Sequence, residues 1–179
     1  MPASTLEEHK KMVEKCKAIF TAKNKDYGTA WRILRLPTLT DQIMIKAERI
    51  RTLQRTTKQM VSDDIHTELI GIVNYAIIAL IQIELAKDTR LDLPSSELMT
   101  YYDKCVARIS ELLKRKNHDY GEAWRSMRVS SMIDLILMKL LRIKSIEDLE
   151  GEVTVSEGIH ANYEDIVNYA IFSLIRLNP

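Results

Sequence analysis

The sequence is poor in the residues that interrupt regular structure. Five glycines and four prolines punctuate 179 residues, which suits long helices better than many short strands. It is also poor in cysteine. Cys16 and Cys105 are the only two. Without a Cys-x-x-Cys spacing they cannot build a thiolate zinc site by themselves, and both are expected as unpaired thiols in a reducing compartment. An excess of either charge is missing too. The net charge is +1, whereas a chain that grips phosphate backbones carries a clear basic excess, so no strong nucleic-acid binding is expected. The polar start, Met1 to Glu8, does not read as a secretory signal. The most apolar stretch, residues 65–85, is interrupted by His66, Glu68, Asn74, Gln82 and Glu84. That composition predicts a buried helix rather than a membrane span, and a cytoplasmic protein with no membrane partner.

What is present is an internal repeat. Lys23-Asn24-Lys25-Asp26-Tyr27-Gly28-Thr29-Ala30-Trp31-Arg32 returns as Lys116-Asn117-His118-Asp119-Tyr120-Gly121-Glu122-Ala123-Trp124-Arg125, a shift of 93 residues. At the same shift Arg35 meets Arg128, Asp41 meets Asp134, Lys46 meets Lys139 and Arg49 meets Arg142. After a one-residue slip, Ile65-His66 pairs with Ile159-His160, and Ile72-Val73-Asn74-Tyr75-Ala76-Ile77 with Ile166-Val167-Asn168-Tyr169-Ala170-Ile171. Packing explains a repeated Trp or Ile. It explains less well a repeated Lys, Asp, Asn, His and two Arg. The dissimilar spacers, residues 55–64 and 148–158, argue that the matched polar residues were kept for a shared site.

The periodicity predicts an all-α, internally duplicated helical bundle. Thr5 with Glu8 reads as a capping box opening a helix near Leu6. Its stripe of Met12, Val13, Cys16, Ile19 and Phe20 should face a core, and it should end before Gly28. The counterpart is expected from about Ser96 to Asn117. A short turn or helix should carry Ala30-Trp31-Arg32, with Pro37 breaking the chain after it. Second helices are expected at about 38–58 and 130–144. Ser62-Asp63-Asp64 should cap a third running to about Lys87, and its equivalent should start near His160 and run to about Leu177. Residues 88–95 read as the linker, and Val153-Thr154-Val155 as loop rather than strand. Repeats 1–90 and 91–179 are too small to bury their apolar faces singly. They are expected to stack about a pseudo-twofold axis around a shared core, a tandem imitation of a homodimer. A further pairing into a true homodimer is open.

The candidate site follows from the matched polar residues. Asp26 and Asp119 precede a Tyr-Gly break, where a carboxylate can meet a cation or a hydroxyl, or simply form the turn. Trp31 and Trp124 are either base-stacking platforms or core anchors. Lys23, Arg32, Lys46 and Arg49, with Lys116, Arg125, Lys139 and Arg142, supply matched cations that suit phosphate. His160, Glu164 and Asn168 share a helical face, with Asp165 three before Asn168. In the first repeat Gly71 stands where Asp165 does. Asn74 and Asn168 lie among apolar residues, so each must find hydrogen bonds.

The Lys-Asn-x-Asp-Tyr-Gly-x-Ala-Trp-Arg segment, the Lys-x-x-Arg of the middle helix and the Ile-Val-Asn-Tyr-Ala helix resemble the nucleotide modification associated domain 1 family, in two copies over nearly the whole chain. The resemblance implies a substrate area, nucleotides or bases, more than a reaction. More distantly the chain is similar to MazG-like all-α nucleoside triphosphate pyrophosphohydrolases. Those dimerise and hold Mg²⁺ with Glu-x-x-Glu and Glu-x-x-Asp pairs, so that the metal polarises phosphate and activates water. The chain departs from that pattern: Lys46-x-x-Arg49 and Lys139-x-x-Arg142 replace acid pairs, and Glu147-x-x-Glu150 has no counterpart in the first repeat.

These resemblances imply a protein that binds a nucleotide or another phosphorylated small molecule. The reaction implied is Mg²⁺-dependent (deoxy)nucleoside triphosphate pyrophosphohydrolysis. Asp119, Asp134, Glu164 and Asp165 would then be the metal-side acids, with Asp26, Asp41 and Glu68 a weaker set. The phosphate and base contacts would be Lys23, Arg32, Lys46, Arg49 and Asn74 in the first repeat. In the second they would be Lys116, Tyr120, Trp124, Arg125, Lys139, Arg142 and Asn168. The alternative is a non-catalytic nucleotide- or protein-binding scaffold that has lost the acid pairs. A third is a purely structural bundle.

Overall fold

A computed structural model describes residues 4–55, 61–149 and 155–177, without the side chains of 61–63, 119, 120 and 155–157. The described residues are helical throughout, apart from turns and connections. Each repeat has a long first helix, a short 3₁₀ turn and two further long helices. They run α1 (Thr5–Tyr27), the turn Ala30–Ile33, α2 (Leu36–Gln54) and α3 (Val61–Glu84). The second set is α4 (Ser95–Tyr120), the turn Ala123–Ser126, α5 (Val129–Asp148) and α6 (Val155–Leu177).

Several helix boundaries differ from the sequence expectation, each for a local reason. The capping box at the start of α1 is Ser4 with Glu7, one residue earlier than Thr5 with Glu8. Thr5 is buried, and its hydroxyl is engaged with the second repeat rather than with its own helix. Pro37 does not break the chain. It lies in the first turn of α2, where its missing N–H has no helical partner to lose. Residues 62–64 lie inside the first turn of α3 rather than ahead of it. α6 begins at Val155, more than a turn before His160, and Val153 and Thr154 lie outside the described residues.

The core is one continuous cluster drawn from both repeats. α2 contributes Leu39, Ile43, Ala47 and Ile50, and α5 contributes Met132, Ile133, Ile136, Leu140 and Ile143. α3 and α6, apolar on almost every face in their central turns, pack on each other, with α2 against α3, α5 against α6 and α2 against α5 closing the ring. Each fully buried Ile or Leu stabilises the fold by about 1.5–3 kcal/mol in transfer terms. By length and composition the segment Asp64–Glu84 is apolar enough to cross a membrane, but most of it is spent inside this core.

α1 and α4 lie outside the four core helices and cross the repeat boundary. His9 on α1 reaches Asn168 on α6, with Nε2 2.9 Å from Oδ1. Tyr102, which occupies the position of His9 in α4, donates its hydroxyl proton to Asn74 on α3 at 2.9 Å. Each outer helix therefore locks onto the last helix of the other repeat, the arrangement expected of a pseudo-twofold. Cys16 and Cys105 are unpaired thiols; Cys16 is buried and Cys105 half-buried.

Candidate functional site

The repeated segment builds the same local structure twice. α1 stops at Gly28, whose φ of 62° is costly for any residue with a Cβ. Its N–H donates to Asn24 O at 2.7 Å. Gly121 ends α4 in the same way, with φ 60° and a 2.8 Å bond to Asn117 O. The chain then turns through the 3₁₀ segment that carries the Trp-Arg pair.

The turn of each repeat is tied to the entrance of the other repeat's outer helix. In the first, Thr29 Oγ1 donates to Leu91 O at 2.8 Å and accepts from Leu93 N–H at 3.1 Å, just ahead of α4. In the second, Glu122 and Trp124 both engage Thr5 at the start of α1, and Trp124 Nε1 donates to its Oγ1 at 3.1 Å. The arginines belong to the same construction. Arg32 donates to the carbonyls of Arg90 (3.0 Å) and Asp88 (2.5 Å) and to Gln82 Oε1. Arg125 pairs with Glu8 at 2.5 Å and Glu122 at 2.8 Å, and lies over the Trp124 ring. Of the two arginines expected as phosphate contacts, Arg125 thus clamps the second repeat to the first, and Arg32 ties its own turn to the end of α3 and the linker after it. Asn74 and Asn168 are clamps as well. Asn74 gives its amide proton to Cys16 O at 3.0 Å and accepts from Tyr102, while Asn168 takes His9. Both amides were bound to find partners once buried, and they found them on neighbouring helices.

The acids expected to gather around Mg²⁺ are separated, and most are held by a cation. Glu68 lies 2.7 Å from Arg49 and 3.5 Å from Lys46. Glu164, only 2% exposed, is met by Arg108 Nε at 2.9 Å and by His160 Nδ1 at 3.0 Å. Asp165 bridges Lys116 (2.7 Å) and Lys139 (3.0 Å). Asp41 pairs with Lys144 at 3.2 Å, and the exposed Asp134 lies 3.8 Å from Arg51. Asp26 is exposed at the end of α1. The side chains of Asp119 and Tyr120 lie outside the described residues. Among the described residues no three His, Cys, Asp or Glu converge as a metal site. A hard cation needs several free oxygens at one point. Of the described candidates, Glu68, Glu164, Asp165 and Asp41 are already met by lysine or arginine, an arrangement that does not fit Mg²⁺ at those four. The cations sort likewise: Lys46, Arg49, Lys116 and Lys139 face carboxylates, and Arg142 is exposed on α5.

What the structure does bring together is a cavity of about 390 Å³ in the first repeat, between the C-terminal half of α1, its 3₁₀ turn and α3. Its walls include Phe20, Trp31, Leu34, Ile70, Tyr75 and Ile78, with Lys23, Asn24 and Tyr27 along the α1 side. Gly71 forms part of the α3 wall. Trp31 is half-buried, so part of its ring is available to a ligand. Asn24 Oδ1 is buried and accepts no hydrogen bond.

The second repeat closes the aromatic end of the same crevice. Ile78 is replaced by Phe172, and the Trp124 ring stacks on it with centroids 4.4 Å apart and planes 9° apart. What remains is an outer hollow of about 480 Å³ lined by Arg108, Leu112, Lys116, His160, Glu164 and Asp165 among others. Leu112, Lys116, Ala161, Glu164 and Asp165 there are the counterparts of Ile19, Lys23, Thr67, Ile70 and Gly71 in the first repeat. One crevice exists twice, apolar and reaching in to its tryptophan in one copy, ion-paired and blocked at the tryptophan end in the other. Of the cavity's residues, sequence reasoning named Lys23 and Asn74 as contacts and weighed Trp31 as a stacking platform. It missed Tyr75 and the part played by Gly71. The signal for Gly71 was its mismatch with Asp165.

A model of the family described as nucleotide modification associated domain 1 matches residues 23–83 and again 116–177, one copy per repeat. No curated protein and no solved structure matches the chain.

Proposed function

Since the chain belongs to the nucleotide modification associated domain 1 family, in two tandem copies, we propose that it binds a nucleotide in the cavity of its first repeat. The observation that carries this reading is the cavity itself. Its volume of about 390 Å³ falls in the range of small-molecule sites, which are largely apolar with a few placed polar groups. A planar heterocycle suits the space beside Trp31, Phe20 and Tyr75, because stacking on an indole ring needs no particular base. Lys23 at the rim supplies a cation for phosphate, and Asn24 a hydrogen-bond acceptor.

The proposal is binding, without an assigned hydrolysis. Mg²⁺-dependent pyrophosphohydrolysis, the reaction implied by the MazG-like likeness, needs free carboxylates that share a cation. Most of the described acids stand in ion pairs instead. That arrangement favours the non-catalytic form of the nucleotide-binding reading.

Thermal melting with a panel of nucleosides and their mono-, di- and triphosphates tests it, with and without Mg²⁺. A ligand at a hundred times its Kd should raise Tm by about 5–10 °C for a chain of this size. A flat panel removes the nucleotide reading. Release of pyrophosphate from a triphosphate would restore the hydrolytic one.

A further inference from the structure

The two crevices differ most sharply at one pair of positions, Gly71 and Asp165. In the second repeat the Asp165 carboxylate sits between two ammonium groups, Lys116 at 2.7 Å and Lys139 at 3.0 Å. The first repeat keeps both cations, as Lys23 and Lys46, and removes the acid. Lys46 nevertheless keeps its place over that position: a Cβ on Gly71 would stand 3.2 Å from Lys46 Nζ. Lys46 lies 3.5 Å from Glu68, behind the closer 2.7 Å contact of Arg49, and 5.5 Å over the Tyr75 ring. Lys23 has no partner among the described residues. Gly71 and Lys23 both line the open cavity. The first repeat thus keeps the two cations that share a carboxylate in its sister, with Lys23 on the cavity wall and the end of Lys46 lying over Gly71.

Taking the nucleotide reading above as its premise, we propose that the ligand's phosphate lies over Gly71 between Lys23 and Lys46, in the place that Asp165 holds in the second repeat. The second repeat carries its own built-in anion there. The ligand completes in one repeat an ion bridge that the other completes by itself. An anion shared by two ammonium groups in a partly enclosed site gains charge-assisted hydrogen bonds, the stronger class. With no Cβ at Gly71 the flexible end of Lys46 rests against the helix there, and it has only to lift to share a phosphate with Lys23. It follows that nucleoside monophosphates should bind better than the matching nucleosides.

Gly71→Asp is the direct test, because it transplants the second repeat's anion into the first. The added Cβ meets only the flexible end of Lys46, so the helix can accept it. Two measurements on the full chain separate this inference from its premise. The first needs no ligand: a double-mutant cycle of Gly71→Asp with Lys23→Ala, read as Tm. Gly71→Asp should raise Tm by about 1–3 °C, and the rise should shrink when Lys23 is removed. The second is titration of AMP, GMP, CMP, UMP and dTMP against their nucleosides. Gly71→Asp and Lys23→Ala should each weaken monophosphate binding by about tenfold to a hundredfold and leave nucleoside binding almost unchanged. Binding of monophosphates that ignores both substitutions overturns the phosphate position while sparing the nucleotide reading. So does a Gly71→Asp effect on Tm that does not depend on Lys23. Failure of the wild-type chain to bind any nucleotide overturns the premise instead.

Discussion

Tyr102 donates its hydroxyl proton to Asn74 Oδ1 at 2.9 Å, across the boundary between the repeats. His9 repeats the gesture toward Asn168 at the matched place, also at 2.9 Å. The asparagines that look most like ligand contacts in the sequence are therefore the pins of the pseudo-dimer. Asn74→Leu strands the Tyr102 hydroxyl inside the core and removes the extra bond to the Cys16 carbonyl, which should cost about 2–4 kcal/mol. Tyr102→Phe should cost less, about 1 kcal/mol. Urea unfolding monitored by circular dichroism measures both, and a greater loss from Tyr102→Phe would contradict the assignment.

His9 carries a pH signature. Burial holds its pKa below the ordinary value of 6.5, only partly offset by the bond to Asn168. The unfolded chain then takes up this proton more readily than the folded one. The contribution is complete above pH 6.5 and is lost as pH falls from there through the folded pKa. Wild-type Tm should drop more steeply below that pH than the Tm of His9→Gln, which cannot titrate. Parallel curves for the two proteins would remove His9 as the cause.

Arg32 and Trp124 should behave as structural residues. Arg32→Ala leaves the carbonyls of Asp88 and Arg90 and the Gln82 side chain without their donor, and should cost about 1–3 kcal/mol. Trp124→Ala empties the stack on Phe172 and should cost about 3–5 kcal/mol. Both losses should be the same with and without nucleotide. A stability change that appears only when ligand is present would return Arg32 to the phosphate site.

Magnesium should matter little. Glu68, Glu164 and Asp165 on α3 and α6 face lysine, arginine or histidine, so excess EDTA should shift neither Tm nor monophosphate affinity. A Tm that rises by several degrees with Mg²⁺ alone would reinstate an acid cluster.

Much of the fold was legible because the repeat fixes which residues are equivalent and the 3.6-residue stripes fix the helices. Gly28 and Gly121 marked the ends of the outer helices without ambiguity, since the positive φ there belongs to glycine. The crosswise pairing was not legible. Nothing in the spacing of Tyr102 or His9 says which repeat's last helix it meets, and the two partners differ in chemistry. The ion pairs of the acids were not legible for a related reason: a carboxylate and a lysine 49 positions apart, as in Lys116 with Asp165, leave no local trace of their contact. The exchange of Asp165 for Gly71 was visible from the start, but a missing acid reads as lost chemistry until coordinates show the space it vacates. Thr5 misled in the same manner, its capping pattern being outweighed by a tertiary bond from Trp124.

On the proposed reading the first-repeat cavity, and not the ion-paired hollow of the second, takes the ligand. Trp31 and Trp124 are the only tryptophans, so each crevice carries its own reporter. The most direct measurement is a fluorescence titration of nucleoside monophosphates into Trp124→Phe, which leaves Trp31 as the sole emitter. The account predicts saturable quenching of Trp31 that Gly71→Asp weakens at least tenfold. Unchanged Trp31 emission while calorimetry records binding would place the ligand elsewhere and contradict it.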